Sequence, residues 1–304
     1  MKVGLAWLNN EKTIVLQHGG DWLDLSRALQ VQCLVEEGHS PAPVQDIVEL
    51  IRTGRMTLSV LTELVRFLDR HNLRGVLRVA DPARFLLPFR PGKVLAVGRN
   101  YLAHAQETGF DPPEEPFVFA KSPEACVGDG DAIVIRESYG RVDHEAELAV
   151  VIGRRAKYVA EDEATDYIAG YTIVNDVTAR GMQKADIDNR LPWWRSKSID
   201  TFCPMGPVIA LPDEVPWPVE VDIELRVNGE IRQKSNTREF IFSIPKVLSF
   251  ITRFMTLMPG DVVSTGTPDG IPPVAPGETV EITIPEIGVL RNPVAPAGTL
   301  RDPS

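Results

Sequence analysis

Two alternating apolar runs open the chain. Residues 2–8 (KVGLAWL) and 13–17 (TIVLQ) each read as a strand, and Asn9 and Asn10 between them favour a turn, so the pair predicts a hairpin. Pro41 and Pro43 lead into PVQDIVELIRTG, where Val44, Ile47, Val48 and Ile51 share one helical face and Gly54 stops the helix. A second helix fits 57–71, with Leu58, Leu61, Leu64, Val65 and Leu68 on its inner stripe. The texture changes past the Pro-rich LLPFRPGK at 86–93. Short β-rich runs then alternate with Gly/Pro punctuation: KVLAVG, PFVFAK, DAIVI, ELAVVIG, YTIVND, VEVDIELRVNGEIRQ, DVVSTG and VEITI. Asn228–Gly229 is a strong hairpin signal, and helices fit 103–108 and 243–255. There is no 30–45-residue repeat, no regular βαβ alternation and no GxGxxG or phosphate-binding loop, which disfavours a nucleotide-binding fold. The pattern therefore predicts a β-rich α+β protein, with a small α+β N-terminal domain over 1–88 and a larger β-rich domain of mixed strands over 89–304.

Composition narrows the class. With 43% hydrophobic and 24% charged residues the 304-residue chain is ordinary for a globular protein. No stretch approaches the ~18 apolar residues of a membrane helix, and the N-terminus lacks a secretory apolar core. Cys33, Cys126 and Cys203 are scattered, without disulfide-framework or zinc spacing. The expectation is a cytoplasmic protein with no membrane partner. The net charge of −10 is unevenly placed: residues 1–90 hold 11 basic and 10 acidic side chains, and residues 91–304 hold 21 and 32. Such an acidic block argues against a nucleic-acid partner. If the substrate is an anion, a bound cation has to offset this field.

The candidate chemistry lies in that block. Glu145 and Glu147, entering the apolar run LAVVIG, lie two apart and so point to one side of a strand. Two carboxylates there repel each other and are costly to bury, and a hard divalent cation such as Mg²⁺ relieves both costs. A third acid, Asp176, ends the apolar strand YTIVN. The alternative is a solvated Glu-x-Glu face with Asp176 capping the next helix. Arg180 and Gln183 follow Asp176 by four and seven residues, which places all three on one helical face. Lys197 stands in an aromatic, Pro-rich context, either snorkelling to the surface or facing an enolate or carboxylate as a fixed ammonium. His104 and Glu107 are one helical turn apart, either a surface pair or a carboxylate orienting an imidazole. Thr265–Gly270 (TGTPDG) reads as a strand-exit turn or as a turn that offers N–H groups and a hydroxyl to an anion.

These segments taken together resemble the fumarylacetoacetate hydrolase family. The matching pieces, in family order over roughly 88–295, are RPGKVLAVGRNYLAHAQE, VDHEAELAVVIG, NDVTARGMQ, KSIDTFCPMGP, NGEIRQKSNT, IFSIP, MPGDVVSTGTPDG and LRNPV. GRNY-x-x-H-x-x-E followed by H-E-x-E looks most like the acylpyruvate hydrolase branch, while the N-terminal domain is like that of longer bacterial and oxaloacetate-handling members. The resemblance implies a mixed-sheet catalytic domain and a homodimer. It implies Glu145, Glu147 and Asp176 as ligands of Mg²⁺ (or Mn²⁺ or Ca²⁺). Arg180, Gln183 and Lys197 fall on its substrate-contact positions, Lys197 also as the catalytic enolate stabiliser. Gly266 and Thr267 fall in its carboxylate-binding turn, and His104 and Glu107 on its water-activating pair. Gly181 departs from the family, where an Asp commonly follows the Arg, so Arg180 is expected to be less tightly held. Trp193 and Trp194, beside Lys197, leave the pocket shape open. The activity implied is metal-dependent C–C bond hydrolysis of an acylpyruvate-type 2,4-dioxo acid through a metal-bound enolate, part of the catabolism of small 2-oxo acids. The alternatives are oxaloacetate decarboxylation or tautomerisation, isomerisation or hydration of unsaturated 2-oxo diacids on the same site, and, most remotely, a non-catalytic binding protein.

Overall fold

The N-terminal hairpin forms as its alternation predicts. In a computed structural model that describes all residues except 9, 83, 108–110 and 299–304, β1 (Lys2–Leu8) pairs antiparallel with β2 (Glu11–His18). Of the expected turn, Asn9 lies outside the described residues, and Asn10 has φ 66°. Residues 21–37, which carry no clear period, add β3 (Asp21–Asp24) and α1 (Leu25–Glu37). The Asp24 side chain caps α1 by accepting from the Arg27 N–H at 2.9 Å, and Gly38 ends it in the left-handed region. Asp46 and Thr57 cap α2 (Ile47–Arg52) and α3 (Leu58–Arg70), where the apolar stripes place those helices. Short α4 (Arg74–Leu77) and β4 (Arg78–Val79) complete the segment.

The strands of the second segment do not all keep to sheets of their own, because several share one sheet with the N-terminal strands. β5 (Val94–Gly98), α5 (Leu102–Glu107), β6 (Phe117–Lys121), β7 (Cys126–Val127), β8 (Ile133–Ile135) and β9 (Val142–Asp143) come first in sequence. The end of the expected helix at Thr108 lies outside the described residues. β10 (Ala146–Ile152), β11 (Ile168–Asn175), β12 (Thr178–Ala179), α6 (Arg180–Asp188), α7 (Trp194–Lys197) and β13 (Cys203–Ala210) follow. The chain closes with β14 (Asp222–Val227), β15 (Glu230–Asn236), α8 (Ile244–Phe254), β16 (Val262–Ser264), β17 (Thr279–Ile284) and β18 (Gly288–Pro296). An 11-stranded sheet runs β4-β3-β2-β1-β13-β11-β10-β16-β5-β6, with β7 on β13. Lys2 pairs with Ala210 and Val3 with Ile209, so the N-terminal hairpin extends the sheet at β13. A second sheet runs β15-β14-β17-β18-β8, and β12 pairs with β9. Asn228 (φ 52°) and Gly229 (φ 84°) turn the β14–β15 hairpin, both in the left-handed region as a type I′ turn requires.

Burial on both faces explains the unbroken apolar run of β10. Leu148, Val150 and Ile152 join a core with Leu225, Ile282 and Leu290 of the second sheet and with Val247 and Ile251 of α8. Ala149 and Val151 point the other way, into a core with Leu61, Leu64 and Leu68 of α3. Ser243 caps α8, accepting from the Lys246 N–H at 3.3 Å, as its position before the stripe predicts. Among the described residues no helix is long and apolar enough to cross a membrane.

Ile209 lies in the core that joins the N-terminal helices to the large sheet and is fully buried. Ile209→Ala is expected to lower the unfolding free energy by about 2–5 kcal/mol, measured by urea denaturation followed by circular dichroism. An unchanged midpoint would contradict this packing.

Candidate active site

Strand register brings the three acids together. Ala146 pairs with Asn175 and Glu147 with Val174, so Glu145 and Asp176 meet where β10 begins and β11 ends. The link is backbone-built: the Asp176 N–H donates to the Glu145 carbonyl at 2.8 Å, and the Glu145 N–H donates to Asn175 Oδ1 at 2.9 Å. Each of Glu145, Glu147 and Asp176 offers a carboxylate oxygen, these oxygens lie within 4.8 Å of one another, and all three residues are buried. The Glu-x-Glu pair is therefore not a solvated face.

Buried cations balance the cluster. Lys197 donates to Glu145 Oε2 at 2.7 Å and to Asp176 Oδ2 at 2.5 Å, and it is 2% exposed, so it does not snorkel to the surface. Lys121 donates to Asp176 Oδ1 at 2.5 Å and is equally buried. Burial works against the charged form of Lys197, but Asp176 and Glu145 outweigh it and hold the ammonium above its ordinary range. Burial likewise opposes ionisation of Glu145, yet Lys197, Arg180 and His104 together keep its carboxyl below the usual range. Glu147 goes the other way, pushed well up by burial and then by the charge of Asp176. Its Oε2 accepts from Ser264 Oγ at 2.6 Å and from the Gly266 N–H at 2.9 Å.

Two expectations are corrected here. Asp176 does not share a helix with Arg180, because β12 intervenes and α6 starts at Arg180. Only Arg180 and Gln183 are one turn apart, with Arg180 Nη1 donating to Gln183 Oε1 at 2.7 Å. Nor is Arg180 loosened by Gly181. Asp143 Oδ2 accepts from Arg180 Nε at 2.7 Å and Glu145 Oε1 from Nη2 at 2.5 Å, so carboxylates from the β9–β10 stretch take the part of the missing neighbour.

A cavity of about 630 Å³ opens onto the triad. His104, Glu107, Arg180, Gln183, Lys197 and Thr267 all line it beside the three acids. Gly266 does not, and acts from behind through Glu147. A Cβ at Gly266 (φ 101°) would come within 2.7 Å of the Asn100 Cβ, so only glycine fits that approach. His104 is buried, and burial lowers its pKa, which favours the neutral imidazole. His104 Nδ1 lies 3.7 Å from Glu107 Oε2, an ion-pair separation rather than a hydrogen bond. The Glu107 Oε2 also accepts from the Gly270 N–H at 3.0 Å. The TGTPDG turn thus does present N–H groups to anions, but these two anions are the protein's own. Thr267 Oγ1 accepts from Gln233 Nε2 at 2.9 Å.

Sequence reasoning passed over several of these residues. Lys121 stands at the end of the predicted PFVFAK strand, and Asp143 lies just before the Glu-x-Glu pair. Gln233 accepts from the Ala146 N–H at 2.9 Å while donating to Thr267, which ties β10 to the turn. A lysine closing an apolar strand was the signal available for Lys121. Gln233 left none, since its role depends on a contact 87 residues away.

The cluster suits a hard divalent cation. It offers oxygen donors only, at a spacing that one ion spans, and Glu147 takes its ionised form most easily beside a cation. Residues 93–295 match the fumarylacetoacetate (FAA) hydrolase C-terminal family. Bovine oxaloacetate tautomerase FAHD2A, mitochondrial, is 39% identical over 264 residues, covering 84% of this chain and 81% of that protein. The solved fumarylacetoacetate hydrolase of Exiguobacterium antarcticum superposes with a TM-score of 0.78 at 31% identity, over 97% of this chain and 99% of its own. Fumarylpyruvate hydrolase from Pseudomonas aeruginosa, solved with Mn²⁺ and pyruvate, gives a TM-score of 0.65 at 33% identity over 71% of this chain and 94% of its own. The mixed sheets, the buried acid triad and these matches lead to one conclusion: the chain belongs to the fumarylacetoacetate hydrolase family.

Proposed function

We propose that this protein is a metal-dependent enzyme of small 2-oxo acids that hydrolyses a C–C bond in an acylpyruvate-type 2,4-dioxo acid. The observation that carries the reading is one cavity in which a buried triad of Glu145, Glu147 and Asp176 faces Lys197 and the His104–Glu107 pair. Glu145, Glu147 and Asp176 would hold Mg²⁺ or Mn²⁺. When bound, the ion supplies Lewis-acid polarisation of the 2-oxo group and a template for its carboxylate. Neutral His104 takes a proton from water, and Glu107 orients the ring and stabilises the imidazolium formed. The water oxygen bonds to the distal carbonyl carbon. The C–C bond then breaks toward the 2-oxo acid, whose enolate receives a proton to give the keto product. Lys197 stabilises the enolate charge. Arg180 and Gln183 orient substrate oxygens, and Thr267 in the Gly266 turn positions the carboxylate. We assign catalysis to 89–304, which carries every residue lining the cavity, and the reading includes a homodimer.

Oxaloacetate tautomerisation is the second reading. The 39% identity to the bovine tautomerase supports it, as does Glu107 spending a carboxylate oxygen on the Gly270 N–H. Keto–enol exchange needs the polarised 2-oxo group and an enolate stabiliser, but no water attack.

Asp176→Ala is expected to weaken Mn²⁺ binding by about 100-fold or more in calorimetry, since even residues behind metal ligands commonly cost 10–100-fold. Affinity equal to wild type would remove the triad from the reading. His104→Ala is expected to cut pyruvate release from acylpyruvates by about 10²-fold or more, in the range typical of general bases. Retained oxaloacetate tautomerisation with lost hydrolysis would assign the ring to water activation, and full hydrolysis in this variant would refute that role.

A further inference from the structure

Arg99 has no part in the chemistry above, although it lines the same cavity. It follows β5 with φ 58°, in a left-handed conformation that a side chain of its size adopts at a cost. The next residue, Asn100, packs against Gly266, whose N–H holds Glu147, so Arg99 is anchored beside the triad's own support. Its guanidinium carbon lies 5.6 Å from the ring centroids of both Phe117 and Trp193.

Those rings belong to a continuous aromatic wall. Trp193 contacts Phe117 at 4.8 Å and Phe119 at 5.8 Å between centroids, and Phe119 lies 5.0 Å from Lys197 Nζ. Phe119 and Trp193 both line the cavity and so connect the ammonium at the triad with the guanidinium of Arg99. Gly98 makes the approach possible, since a Cβ there would meet the Phe117 ring at 2.7 Å. A guanidinium can lie against aromatic faces while the N–H fork in its plane matches a carboxylate. Partial burial strengthens its attraction for an anion relative to open water.

We propose that Arg99 is a specificity-determining residue that recognises the second carboxylate of a 2-oxo diacid lying along Phe119 and Trp193. This inference rests on the 2-oxo acid reading above and narrows it. The triad end takes the 2-oxo acid group, the flat middle of the molecule lies on the rings, and the far carboxylate meets Arg99.

The test is calorimetric binding of 2-oxoadipate and 2-oxohexanoate to the Mn²⁺-loaded full chain. The two probes have the same number of carbons and differ in the terminal carboxylate. Wild type is expected to favour the diacid by about 10-fold or more, as one charge-assisted hydrogen bond allows. R99M is expected to bring that ratio close to one, with Mn²⁺ affinity unchanged, and R99K to keep part of it. No diacid preference in wild type, or the same preference in R99M, would overturn the role of Arg99 while leaving the 2-oxo acid reading intact. Binding of neither probe would sink that reading and this inference with it. Should R99M lose Mn²⁺ binding, R99Q decides in its place: a preserved ratio overturns the proposal, and a collapsed ratio with normal Mn²⁺ affinity supports it.

Discussion

Lys197 donates to Glu145 and Asp176 at once, and that shared ammonium is what allows two carboxylates to meet inside the protein. Without such compensation their mutual repulsion and the loss of hydration would drive them to take up protons. The compensation is distributed among elements. Lys121 ends β6, Lys197 ends α7, Arg180 begins α6, and Asp143 on β9 accepts from Arg180 in turn. Removing one member of such a set leaves another charge buried without its counterion, which costs more than the pair contributes when intact. The loops and short helices between β10 and β13 are therefore fixed by electrostatics as much as by apolar contact.

The parts of this arrangement that repeat over a short span of sequence were readable. Glu145 and Glu147 share a strand face because the period of a strand is two, and Thr57 and Ser243 announce α3 and α8 as hydroxyl caps ahead of apolar stripes. What stayed hidden is non-local. The pairing of Val3 with Ile209 joins segments some 200 residues apart, and no periodicity encodes which strand a hairpin edge will meet. Arg180 shows the same limit on a smaller scale. Its neighbour Gly181 suggested a looser guanidinium, but the stabilising carboxylates come from Asp143 on β9 and from Glu145 just before β10. The helical reading from Asp176 failed because its i, i+4 spacing fits equally a strand end, a bridge at Thr178–Ala179 and a fresh helix start.

The large sheet also carries a mechanical relation between the two halves of the chain. Its middle strands are covered on one face by the second sheet and α8, and on the other by the N-terminal helices. Ala149 and Val151 pack toward α3, and Glu147 shares their parity on β10. The acid that anchors the triad thus sits on a strand whose position the N-terminal helices help to set, although none of their residues lines the cavity.

The TGTPDG turn grips Glu147 through Gly266 and Glu107 through Gly270, four residues apart on one short piece of backbone. Both grips use main-chain N–H groups of glycines that a Cβ would crowd, against Asn100 at Gly266 and against the Arg232 carbonyl at Gly270, so the turn depends on backbone spacing and on the absence of side chains at these two positions. The aromatic wall is built the opposite way, from the side chains of Phe117, Phe119 and Trp193 on other segments. A substitution at Trp193, which lines the cavity without touching the triad's hydrogen bonds, changes the shape of the cavity and leaves those two backbone grips in place. The molecule thus holds two of its acids by backbone and builds the facing surface from side chains, with Phe119 touching both parts through Lys197.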